Sequence, residues 1–225
     1  MAETPRTALD ELEPDGLDQD GPRWQQRKSA QTRTAILEAA IDCLAKYGYS
    51  GMTTQLIAQV AAISRGAMLH HYATKQDLVS SLIDYAFYKR MEWFLAEISK
   101  LTEKQRVYDL AGIEVLWQSL LTRYYRAYLE LSIAASADPD LGAIFLPKAQ
   151  RYDRLWAGET LRIFPEWQNK GPAYDLARNF LAAFMEGIFL NRDIWDDETA
   201  QRDQRELARK VVRLIWTDEL DKKKK

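Results

Sequence analysis

From Arg23 to Asp138 the chain runs 116 residues without a proline, while seven prolines are spread over the rest of its 225 residues. Proline lacks an amide hydrogen and its ring collides with the preceding helical turn, so a run of this length suits long helices. Valine, the residue that most favours strands, occurs only six times, whereas alanine and leucine abound. These features predict an all-α protein. At 225 residues one or two domains are expected, with enough chain to bury a sizeable core. A composition 47% hydrophobic and 28% charged excludes a collagen-like or wholly disordered chain. The longest apolar stretch, Leu181 to Leu190, is interrupted by Glu186 and is too short to span a bilayer. No basic segment followed by an apolar run opens the chain, so no secretory signal is expected. Cys43 has no partner for a disulfide, and a reducing cytoplasm is the expected setting.

Apolar spacing places a first helix at about 25–47, where Ile36, Ala40 and Leu44 share a face with Leu37 and Ile41. Gly48 follows as a stop. Thr53 or Thr54 caps a second, short helix to about Ala61, and Ser64 caps a third at about Arg65 to Tyr72. Thr74, with Asp77 three positions on, starts a long fourth helix to about Lys100. Further helices are predicted at 105–136 with a break near Gly112, then 140–163, 172–193 and 199–219.

The net charge of −2 conceals an asymmetry. Residues 1–22 carry seven acids against one arginine, a net −6, whereas residues 23–75 carry seven Lys/Arg against two acids, a net +5. Residues 76–221 sum to −5, and Lys222 to Lys225 add +4. A basic block within an acidic chain is the electrostatic footprint of a polyanion-binding module. Residues 1–22, acidic and poor in bulky apolar side chains, are expected to be a disordered arm, and residues 222–225 a solvated basic tail.

Between the second and third helices lie Ala61-Ala62-Ile63, a gap suited to the tight turn of a helix-turn-helix. Ala58 allows a close crossing, and Ile57, Ile63 and Met68 can fill the core beneath it. Arg65, Gly66, Ala67, His70 and His71 then fall near the start and outer side of the third helix. Small residues at 66 and 67 let backbone approach a groove, and Arg65 can donate two hydrogen bonds to guanine or to a phosphate.

This stretch resembles the TetR family of bacterial transcriptional regulators. The resemblance is carried by Thr32-Arg33-Thr34-Ala35-Ile36-Leu37-Glu38-Ala39-Ala40, Tyr47-Gly48-Tyr49, Thr53-Thr54, Ile57-Ala58, Ala61, Ser64-Arg65-Gly66, His70-His71-Tyr72, Lys75, Asp77 and Leu78. It implies a helix-turn-helix DNA-binding domain at about 23–75 and a helical effector-binding and dimerisation domain at about 76–221. It also implies phosphate contacts from Thr34, Thr53, Thr54 and Lys75, and base contacts from Arg65, Gly66 and His70, with His71 and Ala67 beside them. Three positions depart from the family pattern: Ala62 stands where glycine is usual, Ala67 where threonine is common, and Leu69 where a phosphate-binding tyrosine is common. Thr53, Ser64 and Thr74 also serve as helix caps, and either histidine can pack against the fourth helix.

Catalysis is not expected. His70 and His71 are the only histidines, and neighbours on a helix diverge by about 100°, which disfavours joint chelation of a metal. No Gly-x-Ser-x-Gly elbow, Walker loop or Gly-x-Gly is present, so neither cofactor nor metal is predicted.

In the second domain, Trp117, Tyr124, Tyr128, Trp156 and Phe184 are candidates to line an apolar effector pocket. The helix at 172–193 carries one apolar stripe of Ala177, Phe180, Leu181, Phe184 and Ile188 and a second of Leu176, Ala183, Gly187 and Leu190. One stripe suffices to pack a helix on its own core, so the second predicts contact with another copy of the chain. Leu207, Val211 and Leu214 on the last helix resemble the partner surface of the family's four-helix dimer interface. The whole reads as a dimeric repressor of a palindromic DNA operator, released by a small-molecule effector and not associated with membrane. The alternative is a DNA-bound structural or protein-interaction factor that needs no ligand.

Overall fold

The computed structural model of the chain describes residues 7–17, 24–195 and 197–217. Within them the regular elements are helical, and no strand occurs. In chain order these are α1 (Ala8–Leu12), α2 (Trp24–Gly51), α3 (Thr54–Val60), α4 (Arg65–His71), α5 (Lys75–Ile98) and α6 (Glu103–Val107). There follow α7 (Gly112–Leu120), α8 (Arg123–Ala137), α9 (Pro139–Ile163), α10 (Pro172–Trp195) and α11 (Glu198–Trp216). The fold is all-α, with an N-terminal helix-turn-helix followed by a helical C-terminal region. The tail Lys222 to Lys225 lies outside the described residues.

Two expectations about local structure are corrected. The stretch anticipated as helical over 105–136 with a break near Gly112 is three helices: the break before α7 falls at Gly112, and a further one, before α8, lies outside that expectation. Thr102 opens α6 through a reciprocal cap with Gln105, Leu110 adopts φ 51°, and the Thr122 hydroxyl accepts the Tyr125 amide at 3.2 Å to start α8. The acidic arm is ordered over residues 7–17. Thr7 and Asp10 cap each other's backbone amides, and Ala8 and Leu12 are buried, so this segment does find apolar surface to cover.

The described chain packs as two compact units. The first takes residues up to Trp93 together with Thr122–Ala157; the second takes Phe94–Leu121 and the residues from Gly158 onward. In the first unit Ile36, Leu37, Ala40, Ile41 and Leu44 are all buried, as their spacing predicts, and α2 packs against α3 and α8. Each of the buried Ile and Leu side chains contributes about 1.5–3 kcal/mol. Gly48 breaks α2 at φ 69°, ψ 177°, and a β-carbon there would lie 3.1 Å from the Glu130 carboxylate of α8. A glycine therefore answers both the backbone and the close approach of α8.

The turn between α3 and α4 is closed by the Ala62 amide on the Gln59 carbonyl (3.2 Å) and the Ile63 amide on the Ala58 carbonyl (3.0 Å). Ala62 sits at φ 54°, the left-handed conformation in which an L side chain is strained. Ala62→Gly is accordingly expected to stabilise the protein by about 0.5–1 kcal/mol, read as a raised urea midpoint with an unchanged slope. A lowered midpoint would contradict the strain.

In the second unit α10 and α11 pack together and α7 touches both. Asp197 caps α11 through the Thr199 and Ala200 amides, and Lys170 donates to the Trp216 carbonyl at 2.9 Å near its other end. Glu114 of α7 accepts from Arg205 of α11 at 3.2 Å.

Candidate nucleic-acid interface

The residues between Thr53 and Lys75 are organised by three threonine or serine caps. The Thr53 hydroxyl accepts the Leu56 amide at 3.1 Å, starting α3. The Ser64 hydroxyl accepts the Ala67 amide at 3.1 Å, starting α4. Thr74 and Asp77 exchange two hydrogen bonds of 3.0 Å at the start of α5. These caps fix where each short helix begins, and so which side chains face outward. A hydroxyl that accepts an amide still carries its own hydrogen. Thr53, exposed, can therefore cap α3 and donate to a phosphate together.

Below this surface Ile57, Ala58, Met68 and Tyr72 are buried, while Ile63 is half-buried. Above it Arg65, Gly66, Leu69 and His70 are exposed, with Ala67, His71 and Thr54 half-buried. Arg65 makes no hydrogen bond or ion pair among the described residues, and a β-carbon at Gly66 would meet nothing nearer than 3.9 Å. The Lys75 ammonium stands 4.8 Å from the centre of the Tyr49 ring, held by cation–π attraction while its charge faces outward. Lys75 and Tyr49 also line a cleft of about 220 Å³ with Asp138 and Asp140 of the first unit.

Two nominated residues are otherwise engaged. Thr34 donates its hydroxyl hydrogen to the Ala30 carbonyl at 3.0 Å, so a phosphate contact would require that bond to swing away. His71 packs edge-on against His70, ring centres 5.4 Å apart. Partial burial, and then the charges of Arg33 and His70, hold its pKa below the ordinary histidine value. No group of three or more potential metal ligands occurs among the described residues.

Sequence reasoning missed how the acids of the basic block are disposed. Glu38 and Asp42 are its two carboxylates, and both are bound by Arg123 of α8, the Asp42 contact at 2.5 Å. Tyr124 also reaches Glu38, at 3.3 Å, as does Tyr85 of α5. Burial first, and the Glu38 carboxylate second, push the Tyr85 phenol far above its ordinary pKa, so it remains a donor. The negative charges of the block are thus spent on α8, and the cations at Arg65 and Lys75 stand without a neutralising ion pair among the described residues. The signal was available only in three dimensions, since Arg123 is 85 positions from Glu38.

The nominated pocket aromatics divide between the units. Tyr128 lies beneath the Arg90 guanidinium at 4.1 Å in a cluster with Phe87, Tyr125 and Phe145; Trp156 leans on Tyr152 at 5.8 Å; and Tyr124 joins the Glu38 network. In the second unit Trp117 is buried beneath Arg205, and Phe184 stacks on Phe180 at 5.2 Å. The second stripe of α10 is open: Leu176, Ala183 and Leu190 are exposed, Gly187 is half-buried, and a β-carbon at Gly187 would meet nothing within 4 Å. On α11, Leu207 and Leu214 are exposed and Val211 is half-buried.

The family model described as bacterial regulatory proteins, tetR family, matches residues 36–82, the stretch from the buried face of α2 through both short helices into α5. Over this stretch the chain is similar to the TetR family. Among curated relatives, the HTH-type transcriptional regulator CymR of Pseudomonas putida is 27% identical over 119 residues, covering 53% of this chain and 58% of CymR. The HTH-type transcriptional repressor AcnR of Corynebacterium glutamicum is 38% identical over 55 residues, covering 24% of this chain and 29% of AcnR. The chain thus spans at most about three-fifths of the length of these curated relatives. Among solved structures, the multidrug binding protein EbrR complexed with imidazole has the same fold at 23% identity and TM-score 0.54, covering 80% of this chain and 89% of EbrR. The likeness to the TetR family therefore rests on the α2–α5 segment, and the likeness of the rest is one of fold. No helix among the described residues is long and apolar enough to cross a membrane.

Proposed function

We propose that this protein is a transcriptional repressor that binds a palindromic duplex operator as a homodimer and is released by a small-molecule effector. In this reading residues 23–75 form the DNA-binding domain and residues 76–221 the effector-binding and dimerisation domain. The observation that carries the reading is the exposed, unneutralised Arg65 at the start of a capped, seven-residue α4 beside Gly66 and His70. A helix so presented can enter a major groove, with Arg65 donating to guanine O6 and N7, while Thr53, Thr54 and Lys75 hold phosphates on either side. The family match over residues 36–82 and the regulators CymR and AcnR support this assignment.

Dimerisation is supported by the uncovered stripe of Ala183, Gly187 and Leu190 on α10, beside Leu207, Val211 and Leu214 on α11. Effector release is supported by EbrR, which shares the fold and carries bound imidazole. An effector can shift the DNA-binding equilibrium only by its differential affinity for the two states. Tyr124, Tyr128 and Trp156 in the first unit, and separately Trp117 and Phe184 in the second, are offered as candidate contacts, and substitution in the unit that holds the effector should change the inducer concentration needed for release.

The first test is selection of bound fragments from genomic DNA, followed by gel shift on the enriched sequence. The proposal requires a palindromic motif; material that enriches no duplex at low ionic strength would refute it. On that operator Lys75→Ala is expected to weaken binding to specific and arbitrary sequences alike, and to reduce the slope of log affinity against log salt by about 1. A loss confined to the cognate sequence would exclude a phosphate role for Lys75.

A further inference from the structure

The acidic arm is held by specific contacts that the DNA-binding reading does not use. Ala8 and Leu12 of α1 are buried, and the Arg151 guanidinium of α9 donates to the Glu11 carbonyl at 2.5 Å, with its carboxylate 3.9 Å away. Tyr88 of α5 lies near the arm as well: burial first, then Glu92 and the arm's own Glu13 and Asp10, push its phenol up to about 12. The chain then turns at Asp15-Gly16, with Gly16 at φ 77°. A β-carbon on Gly16 would lie 3.5 Å from the Arg33 guanidinium, so this turn rests on a cation of α2. Arg33 adjoins Thr34, a nominated phosphate grip, and its guanidinium lies 5.7 Å from the ring of Tyr72 at the end of α4. All these contacts lie within the first compact unit.

We infer that the amino-terminal arm is a tethered competitor of nucleic acid, strapped across α9, α5 and α2 so that its carboxylates oppose phosphate binding at the cationic head. The charges match in scale: residues 1–22 carry −6 and residues 23–75 carry +5. Duplex affinity depends on how many phosphates replace counterions on the protein, and a covalently attached polyanion beside the site competes at high effective concentration. The ordered cap at Thr7 and the buried Leu12 serve as the anchor, and the carboxylates at Asp10, Glu11, Glu13 and Asp15 supply the opposing charge. Sequence-specific contacts at α4 would be little affected, so the arm would suppress arbitrary binding more than operator binding.

The inference rests on the DNA-binding reading, and the test separates the two. Three proteins are compared on a labelled duplex of arbitrary sequence across a salt series: the intact chain, a form lacking residues 1–17, and a full-length form with D10N, E11Q, E13Q and D15N. The neutralised form keeps Ala8, Leu12 and Arg151, so it guards against a loss of folding in the truncation. Both altered forms are expected to bind at least about threefold more tightly at low salt, with a gap that narrows as salt rises and screens the charges. Equal affinity of all three, or weaker binding by both altered forms, overturns the competitor role while leaving DNA binding intact. Failure of all three to bind any duplex overturns the DNA-binding reading, and the arm's role with it.

Discussion

Leu190→Asp combined with Leu207→Asp is expected to convert the protein into a monomer that no longer holds its operator. Leu190 on α10 is 54% exposed and Leu207 on α11 is 50% exposed, so both side chains face outward in a single chain. With Leu214, 39% exposed, they place large apolar groups on the surface of a helix pair whose other face already packs inward through Ala177, Ile188, Ala208 and Val212. Carboxylates there would cost little in an isolated chain. Buried in a two-fold interface, the same four charges per dimer would be desolvated and mutually repelling. A dimer delivers two heads to one operator, and the second engages at the effective concentration set by the first. A monomer loses that gain, so operator affinity should fall by at least about a hundredfold, toward the non-specific level. Light scattering should give half the parental mass with unchanged helix content by circular dichroism. A variant that stays dimeric would place the interface elsewhere.

Arg65→Ala is expected to cost about 1–3 kcal/mol per half-site on the operator, that is, about 5- to 150-fold. The residue is exposed and makes no ion pair among the described residues. The whole effect should therefore appear in binding and none in thermal stability. Discrimination between the operator and its variants should relax at the guanine that Arg65 reads, while affinity for arbitrary DNA falls less. Arg65→Lys should recover little, because an ammonium cannot reproduce the bidentate fork. Unchanged operator affinity would remove Arg65 from the reading surface.

The elements that could be read from sequence are those whose signals are local. The heptad-like spacing of Ile36, Leu37, Ala40, Ile41 and Leu44 predicts the buried face of α2, and Thr53, Ser64 and Thr74 cap where their chemistry says they should. Ala62 is left-handed, as its place in the turn requires. The surface of α4 follows directly, because a seven-residue helix with a known start has few ways to face. The misread parts depend on one cap hidden in a continuous pattern and otherwise on residues distant in the chain. The break before α8 is set by one hydroxyl, that of Thr122, within a stretch whose apolar periodicity is continuous. The ordering of α1 depends on surface supplied by α5 and α9, which composition alone does not reveal. Glu38 and Asp42 read as ordinary helix-surface acids until Arg123 is seen to hold both. Aromatic residues in the middle helices could be counted but not placed, because a ring packed under Arg90 or Arg205 has the same sequence signature as one lining a cavity.

Methylation interference at guanine N7 tests directly whether two α4 helices read successive major grooves, because that atom faces only the major groove. On the operator recovered by selection, methylated guanines should block binding at two symmetric positions about 34–36 Å apart, and Arg65→Ala should erase both signals together. Interference at a single position, or none while binding persists, would contradict the paired-groove arrangement.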